Sequence, residues 1–306
     1  MKKLIIVALV LALLVPAFGF AAGRGEAADG AIRIGMSVPG LQFPFFVTMR
    51  EEAEAAAAEL GATIVFADAL NDAAKQASDI ENFIAQGLDA ILISPMTTDA
   101  LVPVIEQAVA AGIPVATVDR QANTDRVLVH VGADNVEGGR AAARFIIEQL
   151  GGSGSVIQLE GTPGASAAID RKAGFDEVMA GSGITVLTSQ SAEFDRARGQ
   201  TVMENLIQAY PNFDAVFGAN DEMIIGAIEA MQGSGVNARD KVTIGFDATP
   251  DAFAYIQNGL LDATIDQFPG QQAGQALQIL VDNIRTGARP AQSVIFISPL
   301  PVTSAP

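Results

Sequence analysis

Two similar domains, each a doubly wound parallel α/β sheet, are the fold class this sequence predicts, on three observations. From Ala31 onward, short β-branched apolar runs alternate with Ala-rich amphipathic stretches, the pattern of strands and crossover helices. The same order of local motifs occurs twice. Between the copies, residues 151–155 form a Gly-Ser turn that is the clearest composition shift in the chain.

The elements follow in order. IRIGMS, 32–37, reads as the first strand, and the loop VPGLQFPFF leads to Pro44, placed where a first helical turn tolerates proline. The Glu- and Ala-rich helix that follows stops at Gly61. TIVFAD, 63–68, is the second strand; Asn71 is suited to cap the next helix, which carries Ile80, Phe83 and Ile84 on one face and ends at Gly87. DAILISP is the third strand, and Thr98 caps a helix that ends near Gly112. IPVATVDRQ, 113–121, is the fourth: an apolar run of a kind buried on both faces, stopping abruptly at Asp119 and Arg120. VLVHVGADN, 127–135, leads out of the unit, and a helix spans 136–150.

Behind the Gly-Ser turn the order restarts as SVIQLEG, ITVLTSQ, FDAVFGAND and VTIGFDATP. Asp89 and Asp214 lie in matching motifs 125 residues apart, and the strand-end Asp119 and Asp247 lie 128 apart, which argues for duplication of one unit. The carboxyl-terminal pieces, a strand at 262–269, a helix at 270–287 and an extended run at 293–302, are too small for a third domain. They are expected to return to the two sheets, so the chain crosses between domains more than once. Repeated crossings make a hinge over a cleft.

Composition narrows the function. A length of 306 residues gives core enough for two domains. There are 35 acidic against 18 basic side chains, a formal net charge of −17, whereas a nucleic-acid surface needs a dense basic patch. With no cysteine, disulfides, thiol catalysis, Cys-ligated metal and lipid-modified Cys are all ruled out. Residues 1–22 read as an export signal: Lys2 and Lys3, an apolar run from Leu4 to Leu14, and small residues from Ala17 to Ala22. A freely diffusing periplasmic protein is expected, its mature start between Ala21 and Ile32.

Familiar catalytic arrangements are missing. HExxH, CxxC and GxSxG do not occur, and the Gly-rich turn precedes a strand where a phosphate cradle would follow one. The sole histidine, His130, lies in an apolar alternation and reads as structural; Asn71-Asp72 and Asp221-Glu222 read as helix caps. Ligands of open α/β sheets bind beyond the carboxyl ends of the strands, and there the chain places polar and aromatic groups. A sugar needs carboxylates to accept, guanidinium forks to donate, amides to do both and aromatic faces over its C–H surfaces. Asp119, Arg120, Asn220, Asp247 and Gln267 supply the polar types; Phe45, Phe46 and Phe194 supply the rings.

The motifs VDRQ, SAAIDRKAGF, AEFDR, NDEM, GFDATPD and IDQFP, in this order, resemble the periplasmic ribose-binding protein family, sugar receptors of ABC importers. The resemblance covers essentially all of the chain from Ala31 on. It implies two α/β lobes joined by a three-segment hinge, one from 31–133 plus 268–297, the other from 134–267 plus 298–306. A sugar, ribose or a similar pentose first, would be engulfed between them without chemistry or cofactor. Phe45, Phe46 and Phe194 would cover its faces, while Asp119, Arg120, Asn220, Arg171, Asp247 and Gln267 bond its hydroxyls. One departure stands out: similar ribose binders read Asn-Pro-Phe-Phe, and here Phe43 precedes Pro44, a hydrocarbon ring in place of an amide. Another pentose, a deoxy sugar or a polyol would also suit that corner. The implied partners are a small-molecule sugar, an ABC transporter permease and, as a further reading, a chemoreceptor; no metal and no nucleic acid are expected, and the protein is expected to be a monomer. LacI-type regulators share the core but carry a DNA-binding headpiece where this chain has its export signal. The competing enzyme reading uses Asp119 and Asp247 as paired carboxylates and predicts turnover.

Overall fold

A computed structural model describes residues 31–304; the expected export signal lies outside the described residues. The first sheet has six parallel strands: β1 (Ile32–Val38), β2 (Ala62–Asp68), β3 (Ala90–Ile93), β4 (Val115–Val118), β5 (Val129–Ala133) and β11 (Val294–Ile297). Their order is β11-β5-β4-β3-β1-β2. The second sheet has four parallel strands, β6 (Gly154–Glu160), β7 (Ile184–Ser191), β8 (Ala215–Gly218) and β9 (Val242–Ile244), in the order β7-β6-β8-β9. That order repeats β2-β1-β3-β4, so the two lobes share one winding.

The duplication extends to single hydrogen bonds. Asp89 Oδ2 accepts from the Arg33 amide at 2.7 Å, and Asp214 Oδ2 accepts from the Ser155 amide at 2.8 Å. Each carboxylate ties the entry of its lobe's third strand to the start of its first.

Burial on both faces explains the unbroken apolar strands. In the first lobe Ile91, Ile93 and Val115 pack with Ile80, Phe83 and Ile105 from α2 (Ala73–Ala85) and α3 (Val102–Ala110). The alternate residues Leu92, Ala116 and Val118 belong to the larger core with Phe46, Met49, Leu277 and Leu280 of α1 (Pro44–Glu59) and α9 (Pro269–Thr286). Helices α4 (Asn135–Gln149), α5 (Ser166–Ala180), α6 (Arg196–Ala209), α7 (Asp221–Gly233) and α8 (Pro250–Gln257) belong to the second lobe. Among them, α4 with α5 and α6 with α7 form tightly packed pairs.

The chain crosses between the lobes three times, after β5, before α9 and after β11. The carboxyl-terminal run divides: β11 completes the first sheet, whereas β12 (Leu300–Val302) pairs antiparallel with β10 (Thr264–Asp266) in a separate two-stranded ribbon. Thus β11 rejoins a main sheet as expected, whereas β10 and β12 form a ribbon outside both, docked beside the end of β9 by the Gly245 amide on the Ala263 carbonyl at 2.9 Å and the Asp247 amide on the Ile265 carbonyl at 2.8 Å.

Two expected caps are also corrected. Asp72, not Asn71, caps α2, accepting from the Ala74 and Lys75 amides at 2.8 and 3.0 Å. Asn71 instead takes a left-handed conformation, with φ of 59°. Helix α3 starts at Val102 without a side-chain cap, and the Thr98 amide reaches across to the Gly164 carbonyl of the second lobe at 3.0 Å.

Candidate functional site

Beyond the carboxyl ends of both sheets lies a small cavity. Phe43, Phe45, Phe46, Asp119, Arg120, Arg171, Phe194, Asn220, Asp247 and Gln267 all line it, together with Ala167. All ten candidates taken from the sequence are thus brought around one space. Ala167 was not foreseen, because a small apolar residue at the start of a helix carries no chemical signal.

Local structure explains the convergence. Asp119 and Asp247 follow the matching strands β4 and β9, and both have positive φ, 61° and 115°. The chain breaks out of the strand direction there and turns each carboxylate toward the cleft. Phe45 and Phe46 open α1 behind Pro44, and their rings meet edge to face at 5.2 Å. Phe43, only 6% exposed, packs its edge on Phe46 at 6.2 Å. Phe194 sits in the turn after β7, itself at φ of 63°.

The charged groups are buried and individually held. Arg120 donates from Nη1 to the Met96 carbonyl at 3.1 Å and lies 3.6 Å from Asp119 Oδ2, which also accepts from the Ser94 hydroxyl at 2.9 Å. Arg171 donates from Nε to Asn135 Oδ1 at 2.8 Å and from Nη1 to the Ala219 carbonyl at 2.7 Å; Nη1 is 3.6 Å from Asp247 Oδ1. Its guanidinium also lies 3.6 Å from the centre of the Phe246 ring, and the Phe194 ring has Arg120 at 5.3 Å and Arg171 at 5.8 Å. Ser94, Asn135 and Phe246 are thus supporting residues that sequence reasoning missed, since nothing in their own neighbourhoods singles them out.

Burial raises the Asp119 carboxyl, opposed by Arg120, Arg171 and the Ser94 hydrogen bond. Burial also pushes Asp247 well up, opposed chiefly by Arg171. The same desolvation lowers Arg120 and Arg171 while the two aspartates hold them up. Four buried charges persist together only when each has a partner and its remaining hydrogen-bonding capacity is used.

That capacity is not exhausted within the protein. Gln267 donates to Asp247 Oδ1 at 2.6 Å, but its own Oε1 is buried without a partner. Asn220 uses its oxygen to cap α7 at the Met223 amide and one amide hydrogen on the Phe194 carbonyl. Among the described residues, the terminal Nη2 of Arg120 and of Arg171 has no hydrogen-bond partner. Donors and acceptors of both kinds, framed by phenyl rings, face one shared space. Among the described residues, no cluster of His, Cys, Asp or Glu suits a metal ion.

Comparison with known proteins agrees with this geometry. A family model described as a periplasmic binding protein domain matches residues 34–288. The ribose import binding protein of Bacillus subtilis is 44% identical over 261 residues, covering 85% of this chain and 84% of the relative. That of Escherichia coli is 38% identical over 268 residues, covering 88% and 90%. Among solved structures, the Caulobacter myo-inositol binding protein bound to myo-inositol superposes with a TM-score of 0.85 at 34% identity, covering 90% of this chain and 94% of that one. By these matches the chain belongs to the periplasmic binding protein family, whose members bind small sugars for ABC importers and are solute receptors, not enzymes.

Proposed function

We propose that this protein captures one neutral monosaccharide, ribose or a similar pentose, between its lobes and presents the closed form to an ABC transporter permease. The observation that carries this reading is the cavity's inventory: buried amide, guanidinium and carboxylate groups with spare hydrogen-bonding capacity, walled by phenylalanines. A hydroxylated ring answers both halves of that inventory at once. In this reading Phe43, Phe45, Phe46 and Phe194 cover the ring, and Asp119, Arg120, Arg171, Asn220, Asp247 and Gln267 take the hydroxyls. The lobes divide at 133/134, 267/268 and 297/298, the protein acts as a monomer, and residues 1–22 direct export to the periplasm. A chemoreceptor would read the same closed form.

Phe43 favours a second ligand class, a deoxy sugar or cyclic polyol, because a phenyl ring in the wall cannot satisfy a hydroxyl. A thermal-shift screen of pentoses, hexoses, deoxy sugars and polyols separates the two, since a ligand selective for the folded closed form raises Tm. A rise with D-ribose supports the first reading. No rise with any neutral sugar or polyol, or turnover of a sugar that does bind, overturns the proposal.

A further inference from the structure

Asp221 lines no part of the cavity, yet it is fully buried beside Asn220. An acidic residue opening a helix ordinarily caps it, but the cap of α7 is Asn220, which accepts from the Met223 amide at 3.0 Å. The Asp221 carboxylate faces away from its own helix. It accepts from the Thr249 amide at 2.8 Å, the Thr249 hydroxyl at 3.0 Å and the Thr264 hydroxyl at 2.6 Å. The Thr264 oxygen in turn accepts from the Ala248 amide at 3.1 Å.

These bonds hold one turn, and the turn is strained. Asp247 has φ of 115° and Ala248 φ of 53°, left-handed values that side-chain-bearing residues rarely adopt. Such a conformation persists only where its surroundings over-determine it. Gly245 supplies the room: a Cβ there would lie 2.3 Å from Asp221 Oδ1. Thr264 lies on the crossing strand β10, and Gln267, three residues on, donates to Asp247 Oδ1 at 2.6 Å.

We infer that Asp221 is a positioning residue: through Thr249 and Thr264 it fixes the Asp247 carboxylate at the cavity wall and ties it to the crossing strand. The inference rests on the reading that Asp247 contacts the ligand, so its test has an arm that needs no ligand. In that arm, hydrogen exchange of the Ala248 and Thr249 amides is measured in the free protein. Asp221→Asn and Thr264→Val should speed both amides about tenfold or more and leave α2 amides unchanged; Thr264→Ser, which keeps the hydroxyl, should restore protection.

In the second arm, titration calorimetry with D-ribose should show about a tenfold loss for Asp221→Asn and Thr264→Val and near-normal affinity for Thr264→Ser. Added to Asp247→Asn, Asp221→Asn should cost less than about twofold more, because its effect runs through Asp247. Unchanged exchange in both variants, or a fully additive loss in the double variant, would overturn the inference. Faster exchange in a protein whose wild type binds no ribose supports the positioning role of Asp221 and sinks the ribose reading alone.

Discussion

The amide of Gln121 donates to the Ser166 hydroxyl at 2.8 Å, joining the loop after β4 in the first lobe to the first residue of α5 in the second. This bond lies away from the three connecting segments and spans the two lobes. With the Thr98 amide on the Gly164 carbonyl, it latches the rim of the cleft.

Ser166→Ala removes the acceptor and leaves the ten cavity residues named from the sequence in place. One neutral hydrogen bond contributes about 1 kcal/mol, so sugar affinity should fall about fivefold. Titration calorimetry checks this, with the Tm of the ligand-free protein as control. A loss of stability in the free protein equal to the loss in binding would mean that the bond does not favour the closed form.

Phe43→Asn exchanges a buried phenyl ring for an amide. The lost packing should lower stability by about 3 kcal/mol, while the new amide can bond a hydroxyl that the ring cannot. Wild-type protein should bind at least one deoxy analogue of ribose within about threefold of ribose itself. In the variant the preference for ribose over that analogue should widen to about tenfold, the order expected of one net hydrogen bond. Competition binding with 2-deoxy- and 5-deoxyribose measures both ratios.

Gly139 of α4 faces the backbone of α5 so closely that a Cβ would lie 2.1 Å from the Arg171 carbonyl oxygen. In an open helix Gly→Ala gains about 1 kcal/mol of propensity. Here overpacking of about 1–3 kcal/mol wins, because the obstacle is backbone and cannot swing aside. Gly139→Ala should therefore lower Tm in thermal unfolding and weaken sugar binding, since α5 carries Arg171. A higher Tm would show that the two helices separate freely.

His130, the chain's single histidine, is buried on β5 with Nδ1 3.0 Å from the Thr117 hydroxyl. Burial pushes its pKa down to about 4, so the fold holds a neutral imidazole while the unfolded chain takes up a proton below about pH 6.5. The sign follows from linkage: this contribution is complete above pH 6.5 and is lost as pH falls toward 4, about 3 kcal/mol in all. The one imidazole resonance should not titrate between pH 7.5 and 5.5 in NMR spectra. His130→Gln should reduce the fall in Tm between pH 7 and 4.5; an ordinary titration near pH 6.5 would contradict the burial argument.

Much of this was legible in the sequence for a specific reason. Strands buried on both faces are largely apolar, so a run such as Val115–Val118 ending at Asp119 marks both a strand and the rim where a ligand sits. Duplication doubled the signal through Asp247. What stayed hidden depends on partners far along the chain. Asp221 reads as a cap because its true partners, Thr249 and Thr264, lie 28 and 43 residues away. Nothing local marks Ser94 or Asn135 as holding Asp119 and Arg171. The pairing of β12 with β10 rests on three residue pairs, too few to leave a periodic pattern.

The place of β11 in the first sheet sets an order of manufacture. The lobe whose strands are synthesised first is among the last to be finished, because β5 keeps a bare edge until Ile297 has been added. A polypeptide emerging amino end first therefore cannot complete the first sheet until β11 has been made, about 160 residues after β5.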